Sequence, residues 1–443
     1  MQPIAIKSSR VVLPNTLRDA SIIIANGVIT GIEDNLPEGD LQVIDLGDAA
    51  VMPGVVDPHV HINEPGRTEW EGFDTATKAA IAGGVTSLIE MPLNASPVTT
   101  TVKAFEKKLN AAKGKLHANC GFWGGIIPGN FSEIKPLIEK GVFGFKAFLT
   151  HSGIDEFPNV TEADLRKSMP LIAESGLPLL VHCELSGPVA TKAGSHRSYA
   201  HYLASRPKAW EDEAIALMIK LCDEFNCHTH IVHVSSANAL QQIADAKHRG
   251  LPLTAETCQH YLYFNAEDIT DGKTEFKCAP PIREKENNEQ LWQALKNGVL
   301  DFVATDHSPA PPAMKELQSG DFMKAWGGIA SLQYSLSALW TAAKQHSFNI
   351  IDIAKWLSEN PALLPALQTK GKIEKGYDAD FVVWQPEEKF IADAAVCHHR
   401  HKVSPYFGET FFGSVMQTWL KGEKVFDAGK FLHLNRGEIL LAV

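Results

Sequence analysis

The segment Asp57-Pro58-His59-Val60-His61 closes an apolar, strand-like run over residues 50–56. Two imidazoles one residue apart on a strand project to the same face, where they can grip one metal ion. Neutral imidazole is the commonest nitrogen ligand for zinc and its neighbours. An isolated pair of this kind is more often an ordinary surface or core feature, so its weight comes from recurrence. Further apolar runs carry Lys146 (in Gly144-Phe145-Lys146-Ala147-Phe148), His182 (Leu180-Val181-His182-Cys183), His233 (Ile231-Val232-His233-Val234) and Asp306 (Val303-Ala304-Thr305-Asp306). Singly, each has a bland explanation: a satisfied core histidine, or an aspartate that caps a turn. Four histidines, a lysine and an aspartate at the same kind of place are hard to explain by packing.

Lys146 is the strangest member. An ammonium within Phe-Lys-Ala-Phe is costly to bury unless it is paired or gives up its proton. Two answers stay open at this point. One is a salt bridge in the interior. The other is a neutral amine that takes up carbon dioxide, giving a carbamate, an anionic oxygen ligand able to bridge two metal ions. Two divalent ions so held would lower the pKa of a bridging water toward neutrality and polarise the carbonyl it attacks. Asp306 would then take the proton from the attacking water and return it to a leaving nitrogen, or would serve as a ligand alone.

The elements that must position these groups are legible as a repeat. Strand-like apolar runs occur at residues 51–56, 85–91, 116–122, 142–149, 177–182, 229–234, 251–255 and 301–305. Amphipathic stretches with helical spacing lie between them, among them 102–112, 162–174, 211–225 and 237–249. Ala82-Gly83-Gly84 and Ser175-Gly176-Leu177-Pro178 each end a helix before a strand. Strand followed by helix, eight times, predicts an α/β fold, a closed (β/α)8 TIM barrel over residues 51–372. In such a barrel the active site lies at the C-terminal ends of the strands, where the six residues stand. An open doubly wound sheet competes, but no glycine-rich phosphate loop follows the first strand. Residues 1–50 and 373–443 are rich instead in short strands and turns such as Asn26-Gly27 and Lys421-Gly422, and predict a small, sandwich-like β domain assembled from both termini.

A net charge of −11 and the lack of a basic cluster argue against a nucleic-acid partner; the run at 398–402 is too small to define a groove. The seven cysteines are scattered, with no CxxC pair, and read as reduced thiols. Residues 1–13 alternate like a strand and lack the pattern of a signal peptide. No apolar run reaches the ~18 to 20 residues of a membrane helix. The expectation is a cytoplasmic protein.

With these motifs in place, the chain resembles the amidohydrolase superfamily, within it the cyclic-amidase branch of dihydroorotases, hydantoinases and allantoinases. The resemblance runs essentially end to end, through Met52-Pro53-Gly54-Val55-Val56-Asp57, the ligand motifs, Asn360-Pro361-Ala362 and Gly376-Tyr377-Asp378-Ala379-Asp380. It implies a more buried metal held by His59, His61 and Asp306. A second would be held by His182 and His233, with carboxylated Lys146 bridging the two. Zinc suits this donor set, and cobalt, manganese or iron fit nearly as well.

Within the branch, the stretch from His61 through Asn63-Glu64-Pro65-Gly66-Arg67 to Phe73 is similar to the allantoinase signature, as are Gly121-Phe122-Trp123-Gly124-Gly125, Trp326-Gly327-Gly328-Ile329 and His399-Arg400-His401-Lys402. Dihydroorotases typically place an arginine at the position of Asn63, to pair with a substrate carboxylate that allantoin lacks. Asn63 has a second explanation as the cap of a turn. The resemblance implies ring opening of allantoin to allantoate in purine breakdown, by a homo-oligomer, most often a tetramer, acting on a small molecule. Hydantoinase or dihydropyrimidinase is the nearest alternative, then dihydroorotase. Non-catalytic assembly proteins of this fold have lost metal ligands, whereas all six positions are kept here. Departures are Gln259, where the family usually has proline, and His151, which reads as a solvated loop residue. His260 and His307 read as supporting residues, and Ser308 as a substrate contact.

Overall fold

The computed structural model describes residues 3–35, 41–189 and 194–442. Positions 1–2, 36–40, 190–193 and 443 lie outside the described residues, so the expected terminal ranges 1–50 and 373–443 are described in part.

Both ends of the chain enter one sheet. Its nine strands include Ile4–Leu13, Thr16–Ala25, Val28–Glu33 and Ala50–Pro53 from one end, and Phe381–Ile391, Thr410–Leu420 and Glu423–Asp427 from the other. Asn26 and Gly27, at φ 51° and 81°, and Lys421 and Gly422, at φ 46° and 74°, are two-residue turns with positive φ at both positions, the form that matches strand twist. The halves meet where Ala50–Pro53 pairs antiparallel with Phe381–Ile391. Alternation then splits the burial. Val51, Phe381 and Val383 face a cluster inside the terminal sheet, whereas Ala50, Met52, Val382 and Trp384 face the main core.

The expected strand at 51–56 is two strands. Ala50–Pro53 belongs to the terminal sheet, and Val55–Val60 begins the parallel layer beside Val85–Glu90. Gly54 is the break, because a Cβ there would lie 2.1 Å from Thr86 Oγ1. Its N–H donates to Asp380 O at 3.0 Å, while Val55 N donates to Gly84 O at 3.0 Å. Apolar continuity through residue 54 hid this change of sheet.

The parallel strands form a three-stranded and a six-stranded sheet, the second running from Gly124–Gly125 through Phe145–Phe148, Leu179–His182, Thr229–Ile231 and Leu253–Cys258 to Phe302–Ala304. Hydrogen bonds join the two sheets at both edges. Phe143 N donates to Phe122 O at 3.0 Å on one side, and His61 N to His307 O at 2.8 Å on the other. Helices alternate with the strands. Glu162–Ala173 starts from a reciprocal capping box of Thr161 and Asp164, and Val102–Ala112 from a Thr101 cap. Lys208–Phe225 begins three residues before the expected 211, directly after Pro207. All seven cysteines are buried and unpaired, and no helix among the described residues is long and apolar enough to cross a membrane.

Glu90, at the end of its strand, and Lys108, on helix Val102–Ala112, form a fully buried ion pair, and Lys108 Nζ also donates to Met91 O at 3.2 Å. Burial pushes Glu90 up to about 7 despite Lys108. Lys108→Met strands that carboxyl, and should cost about 3 kcal/mol in urea denaturation at pH 8. A carboxyl whose folded pKa is raised loses stability as pH rises, so the deficit should shrink toward pH 5, where Glu90 holds its proton.

Candidate metal centre

Asp57 ties the first parallel strand to the last. Its carboxylate accepts from His59 N at 3.1 Å, from Thr305 N at 3.3 Å and from the Thr305 hydroxyl, although burial pushes it up to about 6. The segments bearing His59 and Asp306 are thereby held side by side. His59 Nε2 lies 3.1 Å from Asp306 Oδ1, and His61 Nε2 lies 3.4 Å from the same oxygen. On its other nitrogen, His59 meets Glu256, which also takes His230 Nε2 at 3.1 Å and the backbone N–H of His233 at 3.3 Å. Asp306 and His233 sit at φ 43° and 40°, left-handed backbone that non-glycine residues adopt at a cost.

His59, His233 and Asp306 bring one ligand atom each within 4.8 Å of one another. His182 joins them with its ring centroid 4.6 Å from that of His233, while its Nε2 lies 2.8 Å from Glu184. Glu184 also takes an ion pair from Arg206. Lys146 is wholly buried, 5.1 Å from the Phe148 ring centroid, and Phe148 in turn stacks on His182. His59, His61, His182, His233 and Asp306 all line one cavity, and Lys146 is buried outside that lining. The triple within 4.8 Å, His59 with His233 and Asp306, takes members from both of the sets that the resemblance implies.

Charge at the centre is frustrated in a way that suits a cation. Burial acts against the His59 imidazolium, but Asp306 and Glu256 outweigh it and push that group up to about 9. Burial holds His61 down to about 4, His233 well below its ordinary value and Lys146 down to about 8. Asp306, despite burial, is held well below the carboxylate range by His59 and His61. His61 Nδ1, His233 Nδ1 and Lys146 Nζ are buried without a hydrogen-bond partner among the described residues. Orphaned polar atoms this deep are costly. Imidazoles, a carboxylate and a buried amine of lowered proton affinity, gathered with so few partners of their own, suit a divalent cation.

His59, His61, His182, His233 and Asp306 line a cavity of about 610 Å³, room for a small cyclic molecule. Ser308 lines it and donates to Asp306 Oδ1 at 3.0 Å. Asn63 lies outside the lining. It is buried at φ 68°, with its amide nitrogen 3.4 Å from Pro309 O and its backbone carbonyl accepting from Arg67 N, so it holds a turn. His151 is exposed at the cavity mouth. His307 is buried, and its Nδ1 accepts from Ser331 N and Leu332 N. His260 and Gln259 are buried outside the lining. Glu256 and Glu184 went unread in the sequence. Their signal was present, a carboxylate inside or directly after an apolar strand run.

The amidohydrolase family pattern matches residues 50–425. The chain belongs to the amidohydrolase family. Among relatives of this amidohydrolase, the allantoinase of Streptomyces avermitilis is 46% identical over 97% of this chain and 96% of its own length. The allantoinase of Arabidopsis thaliana is 40% identical, over 99% and 90%. Among solved structures, the L-hydantoinase (dihydropyrimidinase) of Arthrobacter aurescens superposes with a TM-score of 0.94 over 100% of both chains, at 30% identity.

A carboxylate on the far nitrogen of a ligating histidine fixes its tautomer and raises its basicity. Glu256→Gln should therefore weaken zinc binding about 10- to 100-fold in a chelator competition. An unchanged affinity would remove Glu256 from the centre.

Proposed function

We propose that this amidohydrolase is an allantoinase, which hydrolyses a ring amide of allantoin to give allantoate. The observation that carries the reading is the likeness to two allantoinases over nearly their whole lengths. The parallel strands would form one closed (β/α)8 barrel over about residues 51–372, flanked by a β domain from 1–50 and 373–443. The hydrogen bonds at both edges of the two sheets support closure. The reading extends to a cytoplasmic homotetramer.

His59, His61, His182, His233 and Asp306 would hold two divalent metal ions, with Lys146 carboxylated as the bridging ligand. Burial, the missing partner of its Nζ and its lowered proton affinity support that role for Lys146. When bound, such ions lower the pKa of water and polarise the amide carbonyl. Asp306, ionised and steadied by the Ser308 hydroxyl, takes the proton as the water oxygen adds to the ring carbonyl carbon. The carbon–nitrogen bond then breaks, and Asp306 returns the proton to the leaving ring nitrogen. Glu256 and Glu184 orient His59 and His182. Ser308 lies within reach of a bound substrate, whereas Asn63 would act by shaping the turn behind it.

Protein prepared with zinc, cobalt or manganese and bicarbonate should form allantoate from racemic allantoin. Asp306→Asn should lower kcat by about 10²- to 10⁴-fold. Lys146→Ala should lose bound metal and recover part of it with short-chain carboxylates; an unaffected Lys146→Ala enzyme would remove the bridge. The superposition with an L-hydantoinase favours a second reading, hydantoinase or dihydropyrimidinase. Faster opening of dihydrouracil or hydantoin than of allantoin would move the assignment there, and of dihydroorotate to a dihydroorotase.

A further inference from the structure

Lys315 is a buried cation that this chemistry leaves unused. It ends the 3-10 turn Pro312–Lys315 and is 3% exposed. Among the described residues its partners are backbone carbonyls: Nζ donates to Gly328 O at 2.8 Å, Trp326 O at 3.1 Å and Lys277 O at 3.3 Å. Burial, reinforced by the Lys277 ammonium, presses its pKa down to about 7. A buried ammonium without a counter-ion is expensive, and an apolar side chain of similar length would fill the same space. What the amine accomplishes there is to draw three carbonyls of two segments onto one nitrogen.

Those carbonyls belong to the cavity wall, which Lys277, Trp326 and Gly328 all line. The two segments are also stitched to each other and to the Lys315 turn. Gly328 N donates to Lys277 O at 2.8 Å, Trp326 N to Met314 O at 2.7 Å, and Lys277 Nζ to Ala325 O at 2.6 Å. The Trp326 ring packs edge-on against Trp70, with centroids 4.9 Å apart, so this wall fixes an aromatic side of the cavity. From Gly328 the path continues to the reacting groups. A Cβ on Gly328 would lie 2.3 Å from Ser308 O, Ser308 N donates to Ile329 O at 3.0 Å, and Ser308 Oγ donates to Asp306 Oδ1 at 3.0 Å.

We propose that Lys315 is a positioning residue that pins the wall formed by Lys277 and residues 326–328 and, through Gly328 and Ser308, holds the Asp306 carboxylate in place. The kinetic part of this inference rests on the proposed ring-opening reaction; the structural part does not.

Lys315→Met and Lys315→Arg, compared with wild type by hydrogen-exchange mass spectrometry and by steady-state kinetics on allantoin, test it. In Lys315→Met, peptides covering 306–308 and 325–329 should exchange faster, while strands Ile4–Leu13 and Thr410–Leu420 keep wild-type rates. KM should rise and kcat fall, each about tenfold, as for small misplacements of reacting groups. Lys315→Arg, which keeps charge and donors, should recover part of both. If Lys315→Met fails to fold, Gly328→Ala, which drives residue 328 off Ser308, should give the same local exchange and the same kinetic loss. Exchange at the wall unchanged from wild type, or accelerated equally in the terminal sheet, would overturn the proposal. Wild type that opens no allantoin would defeat the ring-opening reading instead, and the exchange pattern would still decide the role of Lys315.

Discussion

His59 is buried between two carboxylates, Glu256 on one ring nitrogen and Asp306 on the other. Three parallel strands must therefore end at matching heights, because the three groups arise from Val55–Val60, Leu253–Cys258 and the segment after Phe302–Ala304. A shift of one residue in any of them would turn its polar group to the opposite face. Asp57 guards that register from below, with its carboxylate shared between the backbones of His59 and Thr305. The other polar groups of the cluster then arrive by strand geometry. Phe148 lies opposite His182 in the pairing of their strands, and the two rings stack with centroids 4.6 Å apart.

Order at the centre is held against local preference. His233 and Asp306 keep left-handed backbone without being glycine. Such conformations persist where the surroundings over-determine them, and both residues are so constrained: His233 by Glu256 at its amide, Asp306 by His59, His61 and Ser308 at its carboxylate. Strain and unpaired polar atoms therefore occur together, at a place whose donors suit a divalent cation. The terminal sheet begins on the far side of Gly54, where close packing on Thr86 lets the chain pass from one sheet to the next.

The cavity wall obeys a different logic from its floor. The floor is assembled from strand ends; the wall comes from loops, and loops need their own fasteners. Lys315, Lys277 and the glycine at 328 provide them through backbone carbonyls and close approach rather than through an apolar core. This division matches the usual arrangement of enzymes built on parallel strands, in which a stiff scaffold carries the reacting groups and the loops shape specificity.

The sequence by itself determined the repeat of strand and helix, the turns at Asn26-Gly27 and Lys421-Gly422, and the placing of His59, His61, Lys146, His182, His233 and Asp306 in or just after strand runs. These follow from periodicity and from polar groups set into apolar runs, which are local properties. Tertiary structure alone decided the break at Gly54, since the apolar pattern runs on unbroken and the cause is a neighbour, Thr86, on another strand. It alone gave Glu256 and Glu184 their partners, because which histidine a buried carboxylate meets depends on pairing between distant segments. Asn63 marks the same boundary. Its residue type suits either a turn or a substrate contact, and it is the folded chain that sets its amide 3.4 Å from Pro309 O, outside the cavity lining.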